Sequence, residues 1–195
     1  HRVDPVFIQA LMTKHSSGLD VLASPADMSS IGGITPEGVT NLIDAASEIY
    51  DFVILDVPRI MTSWTMMALR YSDPVMVVGQ NNISTIRDVK LLLDGMQHEG
   101  IPPENIEVIN NRAMAKEGSF PIAKVKETLG IERMHRLNND YKTSVHSQNQ
   151  GQPAEEVSRG SNFTKDLKSM AEYIYKLQKG EEKKKGGLFS GLFSK

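Results

Sequence analysis

The sequence contains no cysteine, which rules out disulfides, thiolate metal sites and a cysteine nucleophile. No apolar run approaches the roughly 20 residues needed to span a bilayer, and no signal peptide is visible, so a cytoplasmic protein is the default expectation. Excess charge is missing too: the formal net charge of −2 argues against binding nucleic acid through bulk positive charge. The five histidines, at positions 1, 15, 98, 135 and 146, show no helical i, i+3 or i, i+4 pairing, which argues against a histidine metal site. The chain opens on His1 rather than methionine, so an upstream segment is expected.

What is present suits one soluble domain. The 195 residues are 39% hydrophobic and 24% charged, enough to bury a real core. SGLDVLASP predicts a short strand over 19–23 closed by Pro25, and Gly32-Gly33 a flexible joint. Thr35, Pro36 and Glu37 then supply an N-cap, a first-turn proline and an acid at the positive helix end, opening a helix to about Ile49. Further helices are predicted over 63–70, over 84–100 with Ser84 as N-cap, over 119–130 ended by Gly130, and from Asn162 to Lys179. Between them YDFVILDV, PVMVVG, NIEVINN and, more weakly, IERMHRL predict strands. The strands are continuous apolar runs, so the alternation reads as right-handed βαβ units around a mostly parallel sheet: a doubly wound α/β fold with helices on both faces. Ten methionines serve mainly as core filler.

The stretch YDFVILDVPR (50–59) raises the functional question. A buried strand over 51–57 ending in Asp56 would put a carboxylate at the sheet edge where α/β folds hold ligands. On residues alone, Asp56 reads equally as a ligand-facing carboxylate or as an aspartate capping the next turn. Arg59 reads as a phosphate or partner contact, or as a solvated loop residue.

The order YDFVILDVPR, WTMMALRYSDPVMVVGQNNISTIRDVKLLLDGM, EVINNR and NNDYKTSVHSQNQGQP resembles the MinD/ParA-type ATPases, and in particular the ATPase domain of the TadZ/CpaE proteins of Flp-type (tight-adherence) pilus assembly. The resemblance covers residues 1–179. It implies that Asp56 orders the Mg²⁺ shell through water and senses the γ-phosphate of ATP, a role suited to a hard ion that keeps most of its waters. It implies that Asn111 reads the adenine with its amide donor and acceptor, joined by Asn139 and Asp140. Asn138 stands where that family usually has proline, and Gln150, Gly151 and Pro153 resemble the turn that follows. Trp64, Met66 and Met67 fall where the family dimerises, and equally suit ordinary helix packing.

The family's phosphate loop is absent: there is no GxxxxGK[ST] in the chain. The resemblance therefore implies that the first strand and phosphate loop lie upstream of residue 1, leaving the strand over 51–57 without a neighbour at about 1–3 kcal/mol per unsatisfied backbone group. Alone, the chain is expected to bind ATP poorly. Residues 180–195 read as a charged linker and an amphipathic tail, in which Leu188, Phe189, Leu192 and Phe193 follow three lysines. Burying four such side chains yields roughly 6–12 kcal/mol, and ordering the tip costs a similar amount. A membrane contact would then need two tails on a homodimer; a disordered tail or a peptide docked on a partner are the alternatives. The implied function is a nucleotide-dependent dimerising ATPase whose state selects pilus-assembly or secretion partners, at the inner membrane face or the pole. A non-hydrolysing localisation scaffold and a cell-division or partition positioner are the rival readings.

Overall fold

The computed structural model describes residues 4–24, 32–114 and 120–189, and divides into two compact units. Pro25, Ser119, Leu192 and Phe193, on which parts of the sequence reading rest, lie outside these residues, as do the side chains of Leu188 and Phe189.

The first unit comprises residues 1–75 with 99–101. Asp4 caps α1 (Pro5–Leu11) by accepting the Phe7 N–H at 2.8 Å, and Ile8 is wholly buried. A short antiparallel pair follows, β1 (Thr13–Lys14) with β2 (Asp20–Val21). Thr35 accepts the Gly38 N–H at 3.0 Å and opens α2 (Pro36–Ser47), whose Ile43, Ala45 and Ala46 are buried where it packs on α3 (Ser63–Arg70). The Tyr50 hydroxyl donates to Asp20 at 2.8 Å, tying β2 to the chain after α2, and this bond holds the phenol above its ordinary pKa.

The strand expected over 51–57 is not formed. Residues 52–58 take no regular conformation, with Phe52 46%, Val53 37% and Ile54 80% exposed. Apolar character makes a strand only where a neighbouring strand supplies a ladder, and none of the described strands pairs with this run.

The second unit, residues 76–98 and 102–195, holds a sheet in the order β3 (Val75–Gly79), β4 (Ile106–Ala113), β5 (His135–Asn138). β4 and β5 are parallel, with a register shift between Asn110 and Ala113. Neighbouring strand residues face opposite sides. Val108 points into a small cavity walled by α4 (Ile83–His98) and α5 (Ile122–Leu129), whereas Glu107 bonds to Tyr173 of α8 (Asn162–Phe189). Both residues are buried, so helices cover both faces of β4. β3 departs from the reading of PVMVVG as buried throughout: Val75 and Val77 are buried, but Met76 and Val78 are 37% and 58% exposed. Among the described residues it is the last strand of this sheet. Gly79 is required by close approach, since a Cβ there would lie 2.8 Å from Val89 of α4.

Helix ends follow local chemistry, with two corrections. Asn82, not Ser84, caps α4: its Oδ1 accepts the Thr85 N–H at 3.0 Å and the Ser84 hydroxyl at 2.8 Å. Replacing Asn82 by alanine should therefore cost about 1 kcal/mol in urea unfolding, and Ser84→Ala less than about 0.5 kcal/mol; the reverse order would restore Ser84 as the cap. α8 does not stop at Lys179 but continues to Phe189. α5 ends at Gly130 in the left-handed region (φ 70°), as read. α6 (Tyr141–Gln150) and α7 (Ala154–Ser158) are helices that the sequence pattern does not predict. Among the described residues no helix is long and apolar enough to cross a membrane.

Candidate functional site

The C-terminal ends of all three strands of the second unit open into one cleft of about 1010 Å³. β3 leads into Gln80, Asn81 and Asn82, β4 ends in Asn110, Asn111 and Arg112, and β5 leads through Asn138 to Asn139 and Asp140. Ile122, Phe163 and Leu167 give the cleft apolar wall. Amide side chains on an apolar floor suit a flat, polar-edged ligand better than an ion.

Asn111, Asn139 and Asp140 thus line a single cleft. Asn111 Oδ1 accepts the Arg112 N–H at 2.9 Å. The Asn139 backbone N–H donates to the Ala113 carbonyl at 3.0 Å, and its Nδ2 lies 3.8 Å from the Met114 sulfur. Asp140 is the N-cap of α6, accepting from the Thr143 N–H at 3.0 Å and its hydroxyl at 2.6 Å. The Thr143 hydroxyl bond is the main reason that its carboxyl is held below its ordinary pKa, with the Thr143 N–H second. Its carboxylate is committed to the helix, so Asp140 shapes the loop rather than offering a free acceptor.

Asn138, at the position where proline is usual, has a specific job. Its N–H and its Nδ2 both donate to Asp166 of α8 at 2.7 Å. Proline has no N–H and could make neither bond. Gly151 takes φ 61° at the end of α6, as a left-handed C-cap requires.

Asp56 and Arg59 belong to the first unit and are exposed. Trp64, Met66 and Met67 are half-buried on α3. Among the described residues no group of three or more His, Asp or Glu gathers to hold a metal.

Sequence reasoning missed two asparagines. Asn110 is only 8% exposed and its Oδ1 has no hydrogen-bond partner among the described residues; the Asn81 Oδ1 is likewise buried and unmatched among them, while its Nδ2 donates to the Phe120 carbonyl at 2.8 Å. Buried acceptors without donors are uncommon in native proteins, and both residues line the cleft. The available signal was the paired amides in QNN (80–82) and INN (109–111), each at the end of an apolar strand.

No family model matches the chain. It is 26% identical over 149 residues to the septum site-determining protein MinD of Bacillus subtilis (strain 168), covering 74% of this chain and 55% of that one. It is 27% identical over 124 residues to a putative septum site-determining protein MinD of Emiliania huxleyi, covering 62% and 44%. The chain thus spans about half the length of these curated relatives. Among solved structures, a ParA family ATPase from Chlorobium tepidum TLS superposes with a TM-score of 0.77 at 25% identity, over 85% of this chain and 68% of the other. MinD from Pyrococcus horikoshii OT3, complexed with Mg-ADP, superposes with a TM-score of 0.72 at 18% identity, over 87% and 69%. The α/β architecture with a parallel sheet is that of the MinD and ParA structures.

Proposed function

We propose that this chain, an α/β module of the MinD/ParA type, supplies the base-binding part of a nucleotide-dependent, dimerising ATPase that acts in Flp-type (tight-adherence) pilus assembly. One observation carries the reading: Asn111, Asn139 and Asp140, assigned to the base from sequence order, line one amide-rich cleft at the C-terminal edge of the sheet. In this reading the Asn111 amide donates to the base edge while its oxygen stays on Arg112, and Asp140 keeps the loop over the cleft by capping α6.

Asp56 is assigned the Mg²⁺ shell. Mg²⁺ draws on one or two carboxylates and otherwise on water and phosphate, so a single exposed aspartate fits a through-water contact. ATP with Mg²⁺ would supply the γ-phosphate, the group whose presence or loss distinguishes two states of such a switch. Residues 1–179 are assigned to the ATPase domain, and residues 180–195 to a linker and tail meeting pilus-assembly proteins or a membrane surface once two chains dimerise.

The base site is tested by titrating adenosine into the ¹⁵N-labelled chain. Amide shifts concentrated at 110–114 and 138–145 are expected; shifts elsewhere or none would overturn it. The cellular role is tested by deleting the gene. Loss of surface pili with normal septum placement is expected. Misplaced septa would favour a cell-division positioner, the reading that the septum site-determining relatives support.

A further inference from the structure

We propose that Arg112 packs its guanidinium plane over the face of the base held in the cleft, and so determines how tightly a base is bound; this rests on the base-site reading above. Among the described residues, Arg112 alone of the non-glycine residues has a positive φ, 53°. That region is disfavoured for any residue with a Cβ. Two features hold it there. Its N–H donates to Asn111 Oδ1, and the β4–β5 register shifts between Asn110 and Ala113.

The shift decides where the side chain goes. Val108 and Asn110 turn inward beneath α4 and α5, and strict alternation would send residue 112 to the same buried side. The irregularity re-aims it into solvent at the cleft, as strand bulges beside functional sites do. An ordinary solvated arginine needs no strained backbone.

The two cleft arginines differ. Arg136 is already bonded to the Met114 carbonyl at 2.8 Å and to Asn138 Oδ1 at 3.0 Å. Arg112 has no side-chain partner among the described residues. Ile122, Phe163 and Leu167 give the same cleft its apolar wall. An apolar wall, amide side chains and one planar cation describe a slot for a flat heterocycle, because a guanidinium stacks on π faces and an ammonium does not. A phosphate would call for several converging charged donors, and the other cleft arginine, Arg136, is already engaged by the Met114 carbonyl and Asn138.

The test uses the full chain, with adenosine and inorganic triphosphate as probes, and the variants Arg112→Gly and Arg112→Lys. Glycine accepts φ 53° without strain, so Arg112→Gly should unfold at or above the wild-type temperature yet bind adenosine about 5- to 10-fold more weakly. Arg112→Lys should bind adenosine nearly as weakly as the glycine variant. Triphosphate should neither compete with adenosine nor bind in an Arg112-dependent way. Wild-type-like adenosine binding by Arg112→Gly would overturn this inference and leave the base site standing. Full rescue by lysine, or Arg112-dependent triphosphate binding, would make the residue a phosphate contact and also overturn it. Failure of the wild-type chain to bind adenosine would overturn the base-site reading, and this one with it.

Discussion

Replacing Glu107 by alanine should destabilise the second unit by about 3–5 kcal/mol, read as a fall in the urea midpoint. The carboxylate is 6% exposed in the middle of the sheet and meets three groups. His135 Nε2 lies 2.9 Å from Oε2, while the Tyr173 hydroxyl, at 2.5 Å, and the Arg133 guanidinium, at 3.5 Å, donate to Oε1. Truncation leaves the tyrosine hydroxyl and the imidazole facing a void with no acceptor. The partners also pack on one another: the His135 and Tyr173 rings are 4.7 Å apart, and Arg133 sits 5.6 Å from the Tyr173 centroid. Arg133 is largely exposed, so losing its ion pair alone contributes little. A Glu107→Leu, Tyr173→Phe double variant should recover part of the loss, because it removes the acceptor and a donor together. If Glu107→Ala proves as stable as wild type, the cluster does not anchor α8.

The same cluster predicts an alkaline signature. Burial, and next the hydrogen bond to Glu107, raise the Tyr173 phenol above 10.0. Its folded state holds the proton longer than the unfolded state, so this contribution is complete below 10.0 and falls as pH rises through the folded value. The stability difference between wild type and Tyr173→Phe should therefore shrink as pH climbs above 10.0; a constant difference would exclude the linkage.

Leu93→Ala should cost about 2–5 kcal/mol, since a leucine 1% exposed leaves a cavity that its neighbours only partly close. Leu91→Ala provides the control. It makes the same change on the same helix at a position 62% exposed, and should shift stability by under about 0.5 kcal/mol. Helix propensity cancels between the two, so their difference isolates burial. Equal effects would mean that α4 turns another face to β3 and β4.

Several elements were legible because their determinants are local. Thr35, Pro36 and Glu37 mark the start of α2 within one turn, and α3 spans 63–70 as its pattern predicts. The clustering of Asn111 with Asn139 and Asp140 was legible only through the order of motifs, since nothing within either segment states that their strands are neighbours. Asn82 shows how local chemistry misleads: two hydroxyl-bearing or amide side chains two residues apart can each cap a helix, and the winner depends on where β3 releases the chain. Residues 52–54 show the opposite failure. Their composition fits a buried strand, but burial is conferred by neighbours.

By itself, the sequence determined the start of α2 at Thr35, the span of α3, the stop of α5 at Gly130 and the amides at the strand ends, because caps and hydrophobic spacing act over a few residues of contiguous chain. The tertiary structure alone decided that β3 is half bare, that β4 slips register to turn Arg112 outward, that Asn138 donates to Asp166, and that Glu107 finds its partners on β5, α8 and the loop before β5. Register, burial and the pairing of distant polar groups are properties of surfaces that meet only after folding, and no stretch of the chain contains both halves of such a contact.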